Sequence, residues 1–138
     1  MSGARKTTKR KKTDSRIGTC GWIDLTVGDV ERVRDFYGKV VGWKPVGIPM
    51  GGYADYAMVP PASEAPVAGV CTKRGVNADV PSQWLVYWYV ASVKRSIAAA
   101  KRGGGKVLVG PREQGGGQFA VIRDPAGAVC ALFEPPAD

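Results

Sequence analysis

The sequence predicts an α+β domain made of two tandem βαβββ modules, and three observations carry that expectation. The chain repeats itself weakly: shifted by 63 positions, Ile23–Val30 falls over Val86–Val93, Arg32 over Arg95, Gly42 over Gly105, Val46 over Val109 and Gly47 over Gly110. A unit of that length is too long for a solenoid repeat and too short to stand alone, so two such units must share a core. Each unit also opens on a β-prone run, and each run leads into a segment with a helix-capping residue at its start. The modules are expected at residues 18–74 and 82–136, inside a single domain of residues 17–138 that follows a basic tail, residues 1–16.

The elements follow in order. Residues 20–27 alternate, with Trp22, Asp24 and Thr26 on one face and Ile23, Leu25 and Val27 on the other, which describes a half-buried strand. Asp29 stands where a helix N-cap belongs, Glu31 suits the positive end of the helix dipole, and Val30, Val33, Phe36, Tyr37, Val40 and Val41 recur at helical spacing. Gly42 then ends the helix. Residues 43–46, 53–59 and 67–72 are strand candidates, punctuated by Pro45, Pro49, Gly51-Gly52 and Pro60-Pro61. In the second module residues 84–90 form the opening strand, and Ser92 caps a helix over 93–102 that closes at Gly103-Gly104-Gly105. Strands over 106–109, 118–123 and 128–133 complete it, the last two joined by the turn Asp124-Pro125-Ala126-Gly127.

Charge is unevenly placed. The net charge of +8 includes Arg5, Lys6, Lys9, Arg10, Lys11, Lys12 and Arg16 against Asp14 in the tail, leaving thirteen basic and eleven acidic residues for the body. The tail has no apolar periodicity and reads as disordered; it either solubilises the chain or makes weak nonspecific contact with nucleic acid or anionic lipid. No apolar stretch is long enough to span a bilayer and no signal-peptide core is present, so the expectation is a cytoplasmic protein without membrane contact. Cys20, Cys71 and Cys130 lack CxxC spacing and read as buried reduced thiols. The chain contains no histidine, which removes Ser-His and Cys-His nucleophilic pairs together. The run Gly115-Gly116-Gly117 follows Pro111-Arg112-Glu113-Gln114 and fits neither the phosphate-loop nor the dinucleotide pattern; it reads as a flexible hairpin at one end of the second module, over the mouth of any cup the sheet forms, either a lid or simply a loop.

Three local signatures, in order along the repeat, resemble the vicinal oxygen chelate superfamily of glyoxalases, bleomycin-resistance proteins and extradiol dioxygenases. The first is Asp24-Leu25-Thr26-Val27-Gly28-Asp29-Val30-Glu31-Arg32-Val33, followed by Phe36-Tyr37 and Val41-Gly42-Trp43. The second is Gly103-Gly104-Gly105-Lys106-Val107. The third runs from Phe119 through Asp124-Pro125-Ala126-Gly127-Ala128 to Phe133-Glu134-Pro135. The resemblance spans residues 18–136 and implies a cupped mixed sheet with helices outside. It directs Trp22, Asp24, Leu85, Tyr87 and Tyr89 into the cup, and on the last strand Cys130, Leu132 and Glu134 share one face. It leaves open whether two chains pair as a homodimer or exchange modules.

The resemblance also implies a divalent ion held by first and last strands, and here the sequence departs from it. The first-strand ligand positions carry Trp22 and Leu85, and no carboxylate stands at residues 70–72; Glu134 alone retains a ligand type. One carboxylate does not hold a divalent cation tightly. Asp24 and Asp55 offer at most an improvised acidic site. No metal and no cofactor are therefore expected. The expected function is binding of a small organic molecule, flat or cationic, by Trp22, Asp24, Tyr87, Tyr89 and Glu134, with Trp22 read either as ligand wall or as a plug and Trp84, Trp88, Phe36 and Phe133 read as core. Glu134 is read either as ligand-facing or as ion-paired to Arg123 or Arg112. The alternative is a metal-independent or weakly metal-dependent lyase, isomerase or dioxygenase-like enzyme with Glu134 as general base.

Overall fold

In the computed structural model, residues 14–137 are described. The tail expectation lies outside these residues except for Asp14, Ser15 and Arg16. Module one comprises β1 (Cys20–Val27), α1 (Val30–Val41), β2 (Lys44–Pro49), β3 (Ala54–Val59) and β4 (Ala68–Thr72). A single 3-10 turn, Gly75–Asn77, lies in the connector. Module two comprises β5 (Trp84–Tyr89), α2 (Val93–Arg102), β6 (Lys106–Gln114), β7 (Gly117–Arg123) and β8 (Val129–Glu134).

The eight strands form one mixed sheet in the order β2-β3-β4-β1-β5-β8-β7-β6. The order reads the same from either end once each strand is replaced by its repeat partner, so the internal repeat is a pseudo-two-fold between β1 and β5. Those two strands pair antiparallel, with Trp22 opposite Tyr87 and Asp24 opposite Leu85. Each pairs in parallel with the last strand of its own module, β1 with β4 and β5 with β8. The modules therefore join through main-chain hydrogen bonds along a single seam.

Helix ends follow the sequence. Gly42 takes the left-handed conformation, φ 83°, that closes α1. The Ser92 hydroxyl accepts from the Arg95 N–H at 3.2 Å, one of the otherwise unpaired donors of α2. Asp29 occupies the N-cap position of α1 without a side-chain bond to the helix. The Asp124 carboxylate accepts from the N–H groups of Ala126 and Ala128 and holds the last turn.

Strand β6 is longer than expected, because it runs through Gly110-Pro111 to Gln114 with two register shifts against β7. It is an edge strand, where a proline with no N–H interrupts no ladder on its outer side.

Strand alternation sorts the core into two sides. On the helix side Met58, Ala68 and Val70 pack with Val27, Val30, Val33, Trp43 and Trp84 under α1, while Val93, Ile97, Ala120 and Leu132 pack under α2. On the other side Leu85, Tyr87, Val109, Phe119, Val121 and Ala131 form the core of the concave face. Coverage of the helix side is incomplete at the seam: Trp88 is 41% and Phe36 56% exposed, against the expectation that both are core. Cys20, expected buried, is exposed; Cys71 and Cys130 are partly buried, and all three are free thiols.

Candidate functional site

The concave face holds a cavity of about 250 Å³ lined by Gly21, Trp22, Tyr87, Tyr89, Gln114, Gly115 and Phe133. It straddles the seam. Strand β1 supplies Gly21 and Trp22, β5 supplies Tyr87 and Tyr89, β8 supplies Phe133, and the β6–β7 hairpin supplies Gln114 and Gly115. Residue 21 is glycine for a steric reason, since a Cβ there would overlap the ring of Tyr89. The Phe133 ring similarly packs over Gly117, and its centroid lies 5.8 Å from that of Tyr89.

Asp24 is the polar centre of the wall, and it stands behind the cavity lining. Its Oδ1 accepts from Trp22 Nε1–H at 2.9 Å and its Oδ2 accepts from the Tyr87 hydroxyl at 2.9 Å. The Cys71 thiol donates to Oδ1 at 3.6 Å. Gly69 leaves the room this requires, because a Cβ there would overlap the Asp24 carboxylate. Burial raises the Asp24 pKa above its ordinary value; the three donors pull it back, and nearby Asp55 adds to the rise. Burial, then the Asp24 carboxylate, pushes the Tyr87 phenol upward, while Gln114 hydrogen-bonding pulls it down. The Cys71 thiol is likewise raised, first by burial and then by Asp24 and Asp55. Both groups therefore remain protonated donors at neutral pH.

Trp22, Tyr87 and Tyr89 thus meet around one cavity, with Asp24 joining two of them from behind. Glu134 does not join them. The expectation that it looks into the cup is corrected: its Oε1 accepts from the Val93 N–H at 2.9 Å, at the start of α2. Its face-mate Leu132 packs under the same helix. A carboxylate at a helix N-terminus satisfies an orphan donor and the helix dipole at once. The ion pair to Arg112 is also replaced, for that guanidinium reaches the Val76 carbonyl and the Asn77 side chain and lies 5.0 Å from the Phe119 ring centroid. Gln114 and Gly21 were not marked by the sequence, Gly115 was marked only as part of a hairpin over the cup mouth, and Phe133, read as core, lines the cavity as well. Phe133 is found once the side of β8 is known, since it alternates with Glu134.

The residues here do not fit the divalent ion that the resemblance implies. Trp22 offers only an N–H donor, Leu85 nothing, and Glu134 lies on the helix side. Asp55 is near Asp24, yet one of its oxygens accepts from the Thr72 N–H at 2.8 Å. Among the described residues no group of three or more His, Cys, Asp or Glu side chains could hold a metal, and no buried side-chain nitrogen or oxygen lacks a partner.

Comparison with known proteins agrees with this architecture. CFP32 of Mycobacterium bovis, which carries a provisional glyoxylase name, is 30% identical over 126 residues, covering 90% of this chain and 48% of its own length. The anthracycline biosynthesis protein DnrV of Streptomyces peucetius is 30% identical over 117 residues, covering 85% of this chain and 42% of its own. The chain thus spans about half the length of these relatives. Among solved structures, methylmalonyl-CoA epimerase from Mycobacterium tuberculosis superposes with a TM-score of 0.51 at 16% identity, over 84% of this chain and 86% of that one. That likeness concerns the fold. The profile of the Glyoxalase/Bleomycin resistance protein/Dioxygenase superfamily matches residues 19–132, and the chain belongs to that superfamily.

Proposed function

We propose that this domain binds a small organic molecule in the seam cavity, without a divalent ion. One observation carries the reading: four aromatic side chains, Trp22, Tyr87, Tyr89 and Phe133, surround a concave space whose one nearby carboxylate already accepts bonds from the wall itself. An apolar recess with a few fixed polar groups is the usual form of a small-molecule site. The names of the relatives, a glyoxylase and an anthracycline biosynthesis protein, concern the handling of small organic molecules and support the same class. A general-base role for Glu134 has no support from its position at the α2 N-terminus. The test is a thermal-shift screen of small aromatic compounds in the presence of EDTA, run on the natural chain and on Tyr89→Ala. Compounds that raise the melt of the natural chain in EDTA, and lose that effect in Tyr89→Ala, are the expected result. Stabilisation that requires an added divalent ion would overturn the metal-free part.

A further inference from the structure

We infer that the cavity selects an uncharged, flat aromatic ring system of about two fused rings. This rests on the small-molecule reading above and narrows it to a class. Size sets the upper limit, since about 250 Å³ lies just below the range of roughly 300–1,000 Å³ for drug-sized ligands. Shape follows from the walls. Trp22, Tyr87, Tyr89 and Phe133 present rings, which gain most from a ligand that stacks on them face-on or edge-on.

Charge selection follows from where the polar groups point. Among the described residues, no Lys, Arg, Asp or Glu lines the cavity. The Asp24 carboxylate is near but does not line the space, and each of its oxygens already accepts a bond from a lining side chain, Trp22 N–H or the Tyr87 hydroxyl. A ligand cation therefore finds no uncommitted counter-charge. The cation against the wall, Arg16, lies 5.7 Å from the Tyr89 ring centroid and is ion-paired to Asp14 at 2.7 Å. A ligand anion would enter an aromatic recess backed by a carboxyl group. Transfer of either ion from water forfeits its hydration, and the ring faces, which attract a cation, return only part of that cost where no counter-charge is free. What remains for polar recognition is the Tyr89 hydroxyl and the capacity of the Gln114 amide not used on Tyr87, enough for one hydroxyl or carbonyl on the ligand rim. Asp24 then acts as a positioning residue that holds two walls at fixed angles.

Three bicyclic probes of nearly equal size separate the possibilities: 2-naphthol, which is neutral at pH 7, the N-methylquinolinium cation and the naphthalene-2-sulfonate anion. Calorimetric titration of the full chain should give 2-naphthol an affinity at least about tenfold above either ion, the order expected from unpaired burial of charge. Tyr89→Ala should lose that binding. Gln114→Lys, which adds a cation at the hairpin end of β6, should shift preference toward the sulfonate and serves should Tyr89→Ala fail to fold. An ion that binds as tightly as 2-naphthol, with binding lost in Tyr89→Ala or altered in Gln114→Lys, overturns the neutral class and leaves the small-molecule site standing. Absence of binding by all three probes, or binding indifferent to both substitutions, overturns the site and the class together.

Discussion

Asp24 ties together two walls of a cavity that it does not itself line. Its two oxygens accept from Trp22 and Tyr87, so one buried side chain fixes two aromatic walls. The folded pKa is raised above the ordinary 3.8, chiefly by burial, so the folded chain binds this proton more tightly than the unfolded chain does. Its linkage term is therefore most favourable below pH 3.8 and is lost as pH rises through the folded value. Asp24→Asn removes that titration. Measured by urea unfolding, the stability of the natural chain relative to D24N is expected to fall as pH rises from 3.8 toward neutrality; a constant difference would contradict the raised pKa. The cysteines give a second check. Cys71 is screened by burial and by Asp24, whereas Cys20 is exposed. A thiol reagent at pH 8 is expected to modify Cys20 rapidly and Cys71 only on unfolding, as mass mapping would reveal.

At the scale of elements, alternation told which residues share a face more securely than which side that face takes. For β1 and β5 the family resemblance gave the side, and Trp22, Tyr87 and Tyr89 meet around the cavity. For β8 the grouping of Cys130, Leu132 and Glu134 was legible, yet its direction was not, because β8 precedes no helix in sequence. Its parallel pairing with β5, Tyr87 opposite Ala131 and Tyr89 opposite Phe133, puts Phe133 on the concave side and sends Glu134 to α2. Register is a long-range property that one strand's pattern does not contain. The energetic consequence is testable. Glu134→Ala should cost about 1 kcal/mol of stability, the usual loss when an N-terminal helix donor loses its side-chain acceptor. It should leave 2-naphthol affinity unchanged, and a loss of affinity without loss of stability would return Glu134 to the cup. On β4, Gly69→Ala pushes a methyl into the Asp24 carboxylate and is expected to cost about 1–3 kcal/mol, as overpacking does. A denaturation midpoint equal to that of the natural chain would show that Asp24 has room to move.

For the molecule as a whole, the weak sequence repeat maps onto the symmetry of the sheet. Asp24 and Tyr87 are 63 positions apart, the spacing of the repeat itself, and they are hydrogen-bonded across the seam. Equivalent positions that flank a pseudo-two-fold are brought together by it, so divergence between the copies became division of labour: acceptor in one module, donor in the other. The helix positions were thus legible in the repeat and the cup in the family resemblance; the hairpin over the cup mouth was legible in the glycine run, while the contribution of Gln114 was hidden by the extra length of β6. The account stands on an organic-ligand cavity in place of a metal centre. Elemental analysis of the purified full chain, with thermal melts in EDTA and in a series of divalent ions, addresses that point. The expected result is no stoichiometric metal and a melting temperature unmoved by chelator or ion. A metal bound one per chain, or a melt that falls in EDTA and recovers with a single divalent ion, would contradict it.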